Sequence, residues 1–431
     1  MTSPRTAAGR PGRTIALLLL TAVGTINFVD RQILSVLAEP IRQELHLSDT
    51  KLGLLTGLSF ALFYAGMGVP AAMLADRVNR VRLVAAACLI WSVFTGACAF
   101  ANSFWQLALA RFGVGTGEAG GTAPSLSILA DYYPPAKRPA VIGLFTVAGP
   151  LGVFIGASVG GWAATQFGWR GAFLLVASIG AVAALILAVV VREPPRGGLD
   201  PGHDRETAKP TSLGATVKVF LSRPSLRLQL LAAGLSAFVS YGILNWIPAF
   251  LMRVQEMPMT EMARWFGPVA GLAYGIGIWG GGALVNWLGA RDVRAYAYVP
   301  GIAALITGPS LVVALMASSW QMSLLFMLVP MVTCTMFTAP ALALVQNLSP
   351  VAARTTATAL VLLAFNIVGL GGGPLAIGMI SDRLAASGDA APLRTALICL
   401  APIAVLAALA YLVLSRVVGR DAENVLKEAA A

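Results

Sequence analysis

Charge is what this chain has least of. Only 11% of its 431 residues are Asp, Glu, Lys or Arg, and 57% are hydrophobic. A soluble domain carries about a quarter charged residues, so most of this chain is expected in lipid. Histidine is nearly absent. His46 and His203 both sit in polar connections, which excludes a metal-ligand cluster. The cysteines Cys88, Cys98, Cys334 and Cys399 lie in apolar stretches and form no CxxC pair. They read as small buried hydrophobes rather than a redox or zinc motif. No Gly-Lys dipeptide occurs, so there is no phosphate-binding loop and no ATP-driven mechanism. HExxH is missing too, and no polar region is long enough for an enzyme domain. No enzymatic activity, cofactor or metal is therefore expected. The formal net charge of +11 is not a nucleic-acid footprint, because the basic residues sit mainly in alternate short loops.

What is present is a series of apolar runs, each near the ~20 residues that cross a bilayer. Their limits are 14–38, 52–75, 81–101, 105–130, 139–165, 170–191, 227–251, 263–287, 295–317, 320–347, 355–381 and 393–417. The first follows Arg5, Arg10 and Arg13 as a signal peptide would. It is too long for one and contains Asp30 and Arg31, so it reads as a retained helix. The predicted fold class is an all-α membrane protein of twelve transmembrane helices in two six-helix bundles. The layout is an N-terminal tail at 1–13, a bundle at 14–191, a linker at 192–226, a bundle at 227–417 and a tail at 418–431. Within the linker, Thr211 to Leu221 is expected as a short amphipathic helix on the membrane surface.

Basic residues set the orientation. With the N-terminus inside, the inner segments hold clusters such as Arg77, Arg80, Arg82 and Arg416, Arg420, Lys427. The outer segments hold only the scattered Arg42, Lys51, Arg170, Arg253, Arg264, Arg383 and Arg394. Both termini are thus expected in the cytoplasm. The halves also repeat. Trp105-Gln106 matches Trp320-Gln321, and Gly149-Pro150-Leu151-Gly152 matches Gly373-Pro374-Leu375-Ala376. Pro135 to Arg138 matches Pro350 to Arg354, and Leu74 to Arg77 faces Leu284 to Trp287. Parallel repeats about an axis normal to the membrane place a substrate site between the halves.

Four charges lie inside otherwise apolar runs: Asp30, Arg31, Arg111 and Glu118. Each costs roughly 2.5–3.5 kcal/mol at the bilayer centre, so each needs a partner or an aqueous cavity. They fall in two acid–base pairs, Asp30 with Arg31 and Arg111 with Glu118. Asp30 and Arg111 lie roughly 10–12 Å below the outer surface at 1.5 Å per residue, so they can meet. An ion pair of Asp30 with Arg111 or Arg31 is expected. Glu118 lies two turns beyond Arg111 on the same face. A buried carboxylate can trade an arginine partner for a proton or an anionic substrate. That reading makes Asp30 and Glu118 proton-coupling residues, with Arg31 and Arg111 binding substrate; the alternative is a static polar clamp.

The stretch from Ala75 to Arg82 reads as a gate, in which Asp76 caps a helix or pairs across a boundary and Arg77, Arg80 and Arg82 offer counter-charges. The small residues from Gly143 to Gly161 permit close helix approach. The C-terminal half has no charge at mid-membrane depth. Its polar candidates for the substrate wall are Tyr241, Asn245, Trp246, Thr333, Thr335, Thr338 and Asn366. One charged wall and one largely apolar wall suit an amphipathic substrate.

The six-plus-six layout, the ADRxNRxR stretch at Ala75 to Arg82 and the run RFGVGTGE from Arg111 to Glu118 resemble the major facilitator superfamily. Ala148 to Gly152 is similar to the motif of its proton antiporters. Asn27 to Arg31, Asp76 to Arg80 and Gly115 to Ala119 resemble the Spinster branch. The resemblance implies the major facilitator fold and rocker-switch transport driven by an ion gradient. It implies a lipid-like cargo of the sphingolipid or lysophospholipid kind, and puts Asp30, Arg111 and Glu118 in the polar core with Asp76 and Arg77 at the gate. Asn286 stands where the repeated gate motif has its acid. A bacterial inner-membrane protein acting as a monomer is expected, with protons, membrane lipids and a small amphipathic substrate as partners and no nucleic acid. A multidrug or small organic anion antiporter of the same fold is the alternative, and a receptor or channel the alternative of another class.

Overall fold

The computed structural model describes residues 10–196, 199, 220, 222–349 and 354–430. Among them helix is nearly continuous and no strand occurs. The surface helix expected at 211–221 lies, Phe220 apart, outside the described residues.

Ten helical stretches among the described residues are long and apolar enough to cross a membrane. The longest, Ala140–Val190, runs for 51 residues, far more than one crossing needs. It breaks at Gly168, whose φ of 68° and ψ of 174° suit glycine alone, and so supplies the fifth and sixth spans. The expected fourth span is two helices, Phe104–Glu118 and Thr122–Tyr132, parted at Gly120 and Gly121. Neither is long enough alone. With that pair and the Gly168 break, the expected twelve crossings are present, six on each side of the polar stretch after Val191.

The chain packs as two compact units. One takes in the described residues of Met1–Leu47, Ser59–Arg205 and Pro258–Gly271; the other those of Ser48–Leu58, Glu206–Met257 and Leu272–Ala431. Each unit therefore includes a short segment from the opposite half of the sequence.

In the first unit, the first span (Gly12–Val36) lies along the fifth. The small-residue face makes this possible. A Cβ at Gly152 would meet the Phe28 side chain and stand 2.8 Å from the Thr25 carbonyl oxygen. Beyond the first span, the helix Ala38–Leu45 is tied down at Glu44, which accepts from the Trp169 indole N–H at 2.5 Å and from Arg170. These two donors hold the Glu44 carboxyl below its ordinary range. Arg170 also reaches the Ala101 carbonyl at 3.2 Å.

In the second unit, Phe337 and Phe365 meet edge to face at 5.2 Å, within a core that includes Leu344, Val361 and Tyr411. The segment Ser48–Leu58 is held there by polar contacts. Asp49 accepts from Arg253 at 2.8 and 2.9 Å and from the Ser381 hydroxyl at 2.6 Å. The Asp382 carboxylate in turn accepts the N–H groups of Asp49 and Thr50 at 2.9 and 2.8 Å. Anions belong at helix N-termini, and this one caps the helix Asp49–Gly53. Asp49 and Arg253 are only 7% and 20% exposed, so breaking the pair strands a cation with little water. Asp49→Ala is expected to cost about 2 kcal/mol, below the range for fully buried pairs. A lowered thermal-unfolding midpoint in detergent checks this; an unchanged midpoint contradicts it.

Candidate functional site

The charged residues of the first unit come together, though not in the expected pairs. Arg31 Nε donates to Glu118 Oε2 at 2.8 Å, joining the first and fourth spans. Glu118 is fully buried and Arg31 is 16% exposed. Arg111 instead donates through Nη1 to the backbone carbonyl of Asp30 at 3.4 Å. Among the described residues, neither Asp30 nor Arg111 makes an ion pair, although each is 1% exposed. The expected ion pair of Asp30 with Arg111 or Arg31, and the pairing of Arg111 with Glu118, are both replaced by the cross-pair Arg31–Glu118. The reason is geometric: Asp30 and Arg31 are adjacent, so their side chains leave the helix about 100° apart. Arg31 reaches the fourth span at Glu118, which lies seven residues beyond Arg111 on one helical face.

Three aromatic rings complete the surroundings. The Arg31 guanidinium carbon lies 4.6 Å from the Phe60 ring centre, 4.7 Å from Tyr64 and 5.3 Å from Phe28. Arg111 lies 5.5 Å from the same Phe60 ring. Guanidinium groups are attracted to aromatic faces at these distances. None of the three rings was a sequence candidate. Their signal was the spacing of Phe60 and Tyr64 at i, i+4 on the second span, and of Phe28 and Arg31 at i, i+3 on the first. Several buried polar atoms of this unit lack a hydrogen bond of good geometry: Asp30 Oδ1, Arg111 Nε, Glu118 Oε1, Asn27 Nδ2 and Thr95 Oγ1, although Thr95 lies near Asp30 and Asn27 near Glu118. Unsatisfied groups of this kind are rare and call for a reason.

The stretch Ala75 to Arg82 sorts differently from its expected roles. Arg80 is 3% exposed and holds Asp131 at 2.5 Å, Glu193 at 2.6 Å and Ser127 at 2.8 Å. Its counter-charges are thus Asp131 and Glu193, not Asp76. Helix capping falls to Asn79, which accepts the Arg82 N–H at 2.9 Å, while Asp76 and Arg77 are exposed. Arg196 donates to the carbonyls of Ala75, Asp76 and Val78, closing the end of the second span. Glu193 and Arg196 were missed because they lie just past the sixth span, where the sequence reads as connection.

In the second unit the polar candidates spend hydrogen bonds on backbone. Trp246 Nε1 donates to the Pro374 carbonyl at 2.8 Å. Asn245 and Asn366 donate to the carbonyls of Tyr241 and Leu362, one turn back, at 2.9 and 2.7 Å. Tyr241 is half-buried. Thr333 pairs with the Thr307 hydroxyl at 2.7 Å, and Thr338 with the Thr335 carbonyl at 3.0 Å.

The family model of the Major Facilitator Superfamily matches residues 20–307. An "MFS-type efflux pump" of Mycolicibacterium smegmatis is 32% identical over 94% of this chain and 93% of that protein. "Protein spinster homolog 1" of Homo sapiens is 28% identical over 87% of this chain and 74% of its own length. Among solved structures, a bacterial homolog of the human lysosomal transporter Spinster, inward-facing and unoccupied, superposes with a TM-score of 0.87. It is 31% identical, with 96% of this chain and 99% of that one covered.

Proposed function

Because the chain belongs to the Major Facilitator Superfamily and is an integral membrane transporter, we propose that it is a proton-coupled carrier of an amphipathic, lipid-like substrate. The observation that carries this reading is the pairing in the first unit: Arg31 is neutralised by Glu118, while Asp30 and Arg111 are buried without ion-pair partners. Asp30 and Arg111 act on each other through space without closing into an ion pair, and buried charges that are not directly paired are costly. A proton on Asp30, or an anionic headgroup at Arg111, relieves that cost. If each does so in a different step, the two events are linked.

The incompletely bonded polar atoms of Asn27, Thr95 and Glu118 supply further bonds for a headgroup. The lipid-like cargo is what the resemblance of Asn27 to Arg31, Asp76 to Arg80 and Gly115 to Ala119 to the Spinster branch implies. In this reading Asp76, Arg77 and Arg80 serve the inner gate, with Arg80 as its fixed element. Both termini are cytoplasmic, in a bacterial inner membrane. The relative named as an efflux pump favours a second reading, export of small organic compounds or drugs.

Proton-driven uptake into proteoliposomes separates the two. Saturable movement of radiolabelled lysophosphatidylglycerol, unaffected by benzoate, is the expected result; benzoate transport without lysolipid transport favours the second reading. Arg111→Ala is expected to weaken lysophosphatidylglycerol binding about tenfold or more, the scale of a charge-assisted hydrogen bond. Equal affinity removes Arg111 from the site.

A further inference from the structure

Phe60 is 1% exposed and touches both arginines of the buried site. Two cations near one ring repel each other, and the negative face of the ring offsets part of that repulsion. For Arg111, the contacts seen are the Asp30 carbonyl and this ring. Phe60 therefore contributes to where both guanidinium groups stand, although it carries no charge.

Its place in the chain adds a second observation. The second span, Asp49–Arg77, passes from one compact unit to the other between Leu58 and Ser59. The residues just before that point, Leu54–Leu58, form a π-helical turn. Such turns are rare, and a departure from regular α-helix within a span often marks a functional site or hinge. Phe60 is the second residue after it. On the near side of the turn, Asp49 is fixed by Arg253 and Ser381. On the far side, the Phe60 carbonyl oxygen lies 2.9 Å from where a side chain at Gly115 would begin, so this part of the span rests directly on the fourth. Gly115 lies one turn from both Arg111 and Glu118. A change of winding at Leu54–Leu58 must therefore shift either the Asp49 end or the Phe60 ring.

We propose that Phe60 is a positioning residue that joins the π-helical turn of the second span to the placement of Arg31 and Arg111. When the Asp49 end is held, the ring stands beneath both arginines; when it is released, the ring withdraws and the two cations rearrange. This deepens the carrier reading by giving the charged site a mechanical connection to one end of the protein, and its test needs no substrate.

Spin labels at Lys51 and Arg383, both exposed and flanking the Asp49–Asp382 contact, report whether that end is held. Distances are measured by pulsed electron resonance on the full chain in lipid nanodiscs. Phe60→Leu is expected to raise the ratio of long to short distances by about threefold or more, the scale of one lost cation–π contact. Stepwise fluorination of the Phe60 ring keeps its shape while weakening its negative face. It is expected to give a graded rise in the same direction, and Phe60→Tyr to keep the wild-type ratio. An unchanged ratio in Phe60→Leu overturns the proposal. So does a change that the fluorinated rings fail to reproduce, because it reports lost shape alone. If Phe60→Leu does not fold, the fluorinated series decides. Failure of the wild type to carry lysolipid would remove the substrate reading and leave this result standing.

Discussion

Asp30→Asn is expected to abolish proton-driven accumulation of lysophosphatidylglycerol while leaving counterflow exchange intact. Asparagine matches aspartate in size and polarity, so packing in the first span is kept, but it cannot take and return a proton. Loss of a proton-transfer group lowers rates by roughly two or more orders of magnitude in enzymes, and a similar loss is expected for the gradient-driven mode. Exchange requires only that the loaded carrier reorient, which the neutral amide permits. Asp30 is 1% exposed and makes no ion pair among the described residues, so the substitution breaks no salt bridge, although it takes away a carboxylate that acts on Arg111 and Arg31 through space. Radiolabel flux in both modes, on one preparation, is the measurement. Unimpaired accumulation by the variant would take Asp30 out of coupling.

The second large effect concerns the cross-pair. Arg31→Met leaves the Glu118 carboxylate, fully buried, without its 2.8 Å partner. Breaking a buried pair from one side costs about 3–5 kcal/mol. Removing both charges, as in Arg31→Met with Glu118→Gln, strands neither and is expected to recover most of that loss. Thermal unfolding of the two single variants and the double variant gives the coupling. If Arg31→Met is as stable as the wild type, or the double variant loses the sum of the singles, the pair does not hold the first and fourth spans together. Transport by the double variant is informative separately, since restored stability without proton-driven flux assigns the Arg31–Glu118 pair a role beyond packing.

The fold could be read from the chain because its signals are local and repeated. Apolar runs of span length, the polar divide after the sixth and the paired Gly-Pro-Leu motifs each follow from lipid chemistry. Two features blur that pattern: the glycine turn at Gly168 joins two spans, and Gly120 and Gly121 part the fourth. Spacing along each helix was also legible, since each residue advances a helix by a fixed rise. Direction around the helix was not. Placing Asp30 and Arg111 at one depth suggested a pair, whereas the rotation of the first span turns Arg31 to Glu118. Phe60 and Tyr64 were not singled out because nothing in the sequence shows that an arginine from another span lies over them. Arg80 was read as one of the gate's counter-charges, but its partners Asp131 and Glu193 come from distant positions that only the fold brings together.

The central claim is that proton movement and substrate movement share one buried site. Proteoliposomes loaded with a pH-sensitive dye and given a lysophosphatidylglycerol gradient without an initial pH gradient test it most directly. The account predicts proton flux through the wild type that depends on the lysolipid and disappears in Asp30→Asn. Lysolipid movement by the wild type with no accompanying proton flux would contradict it.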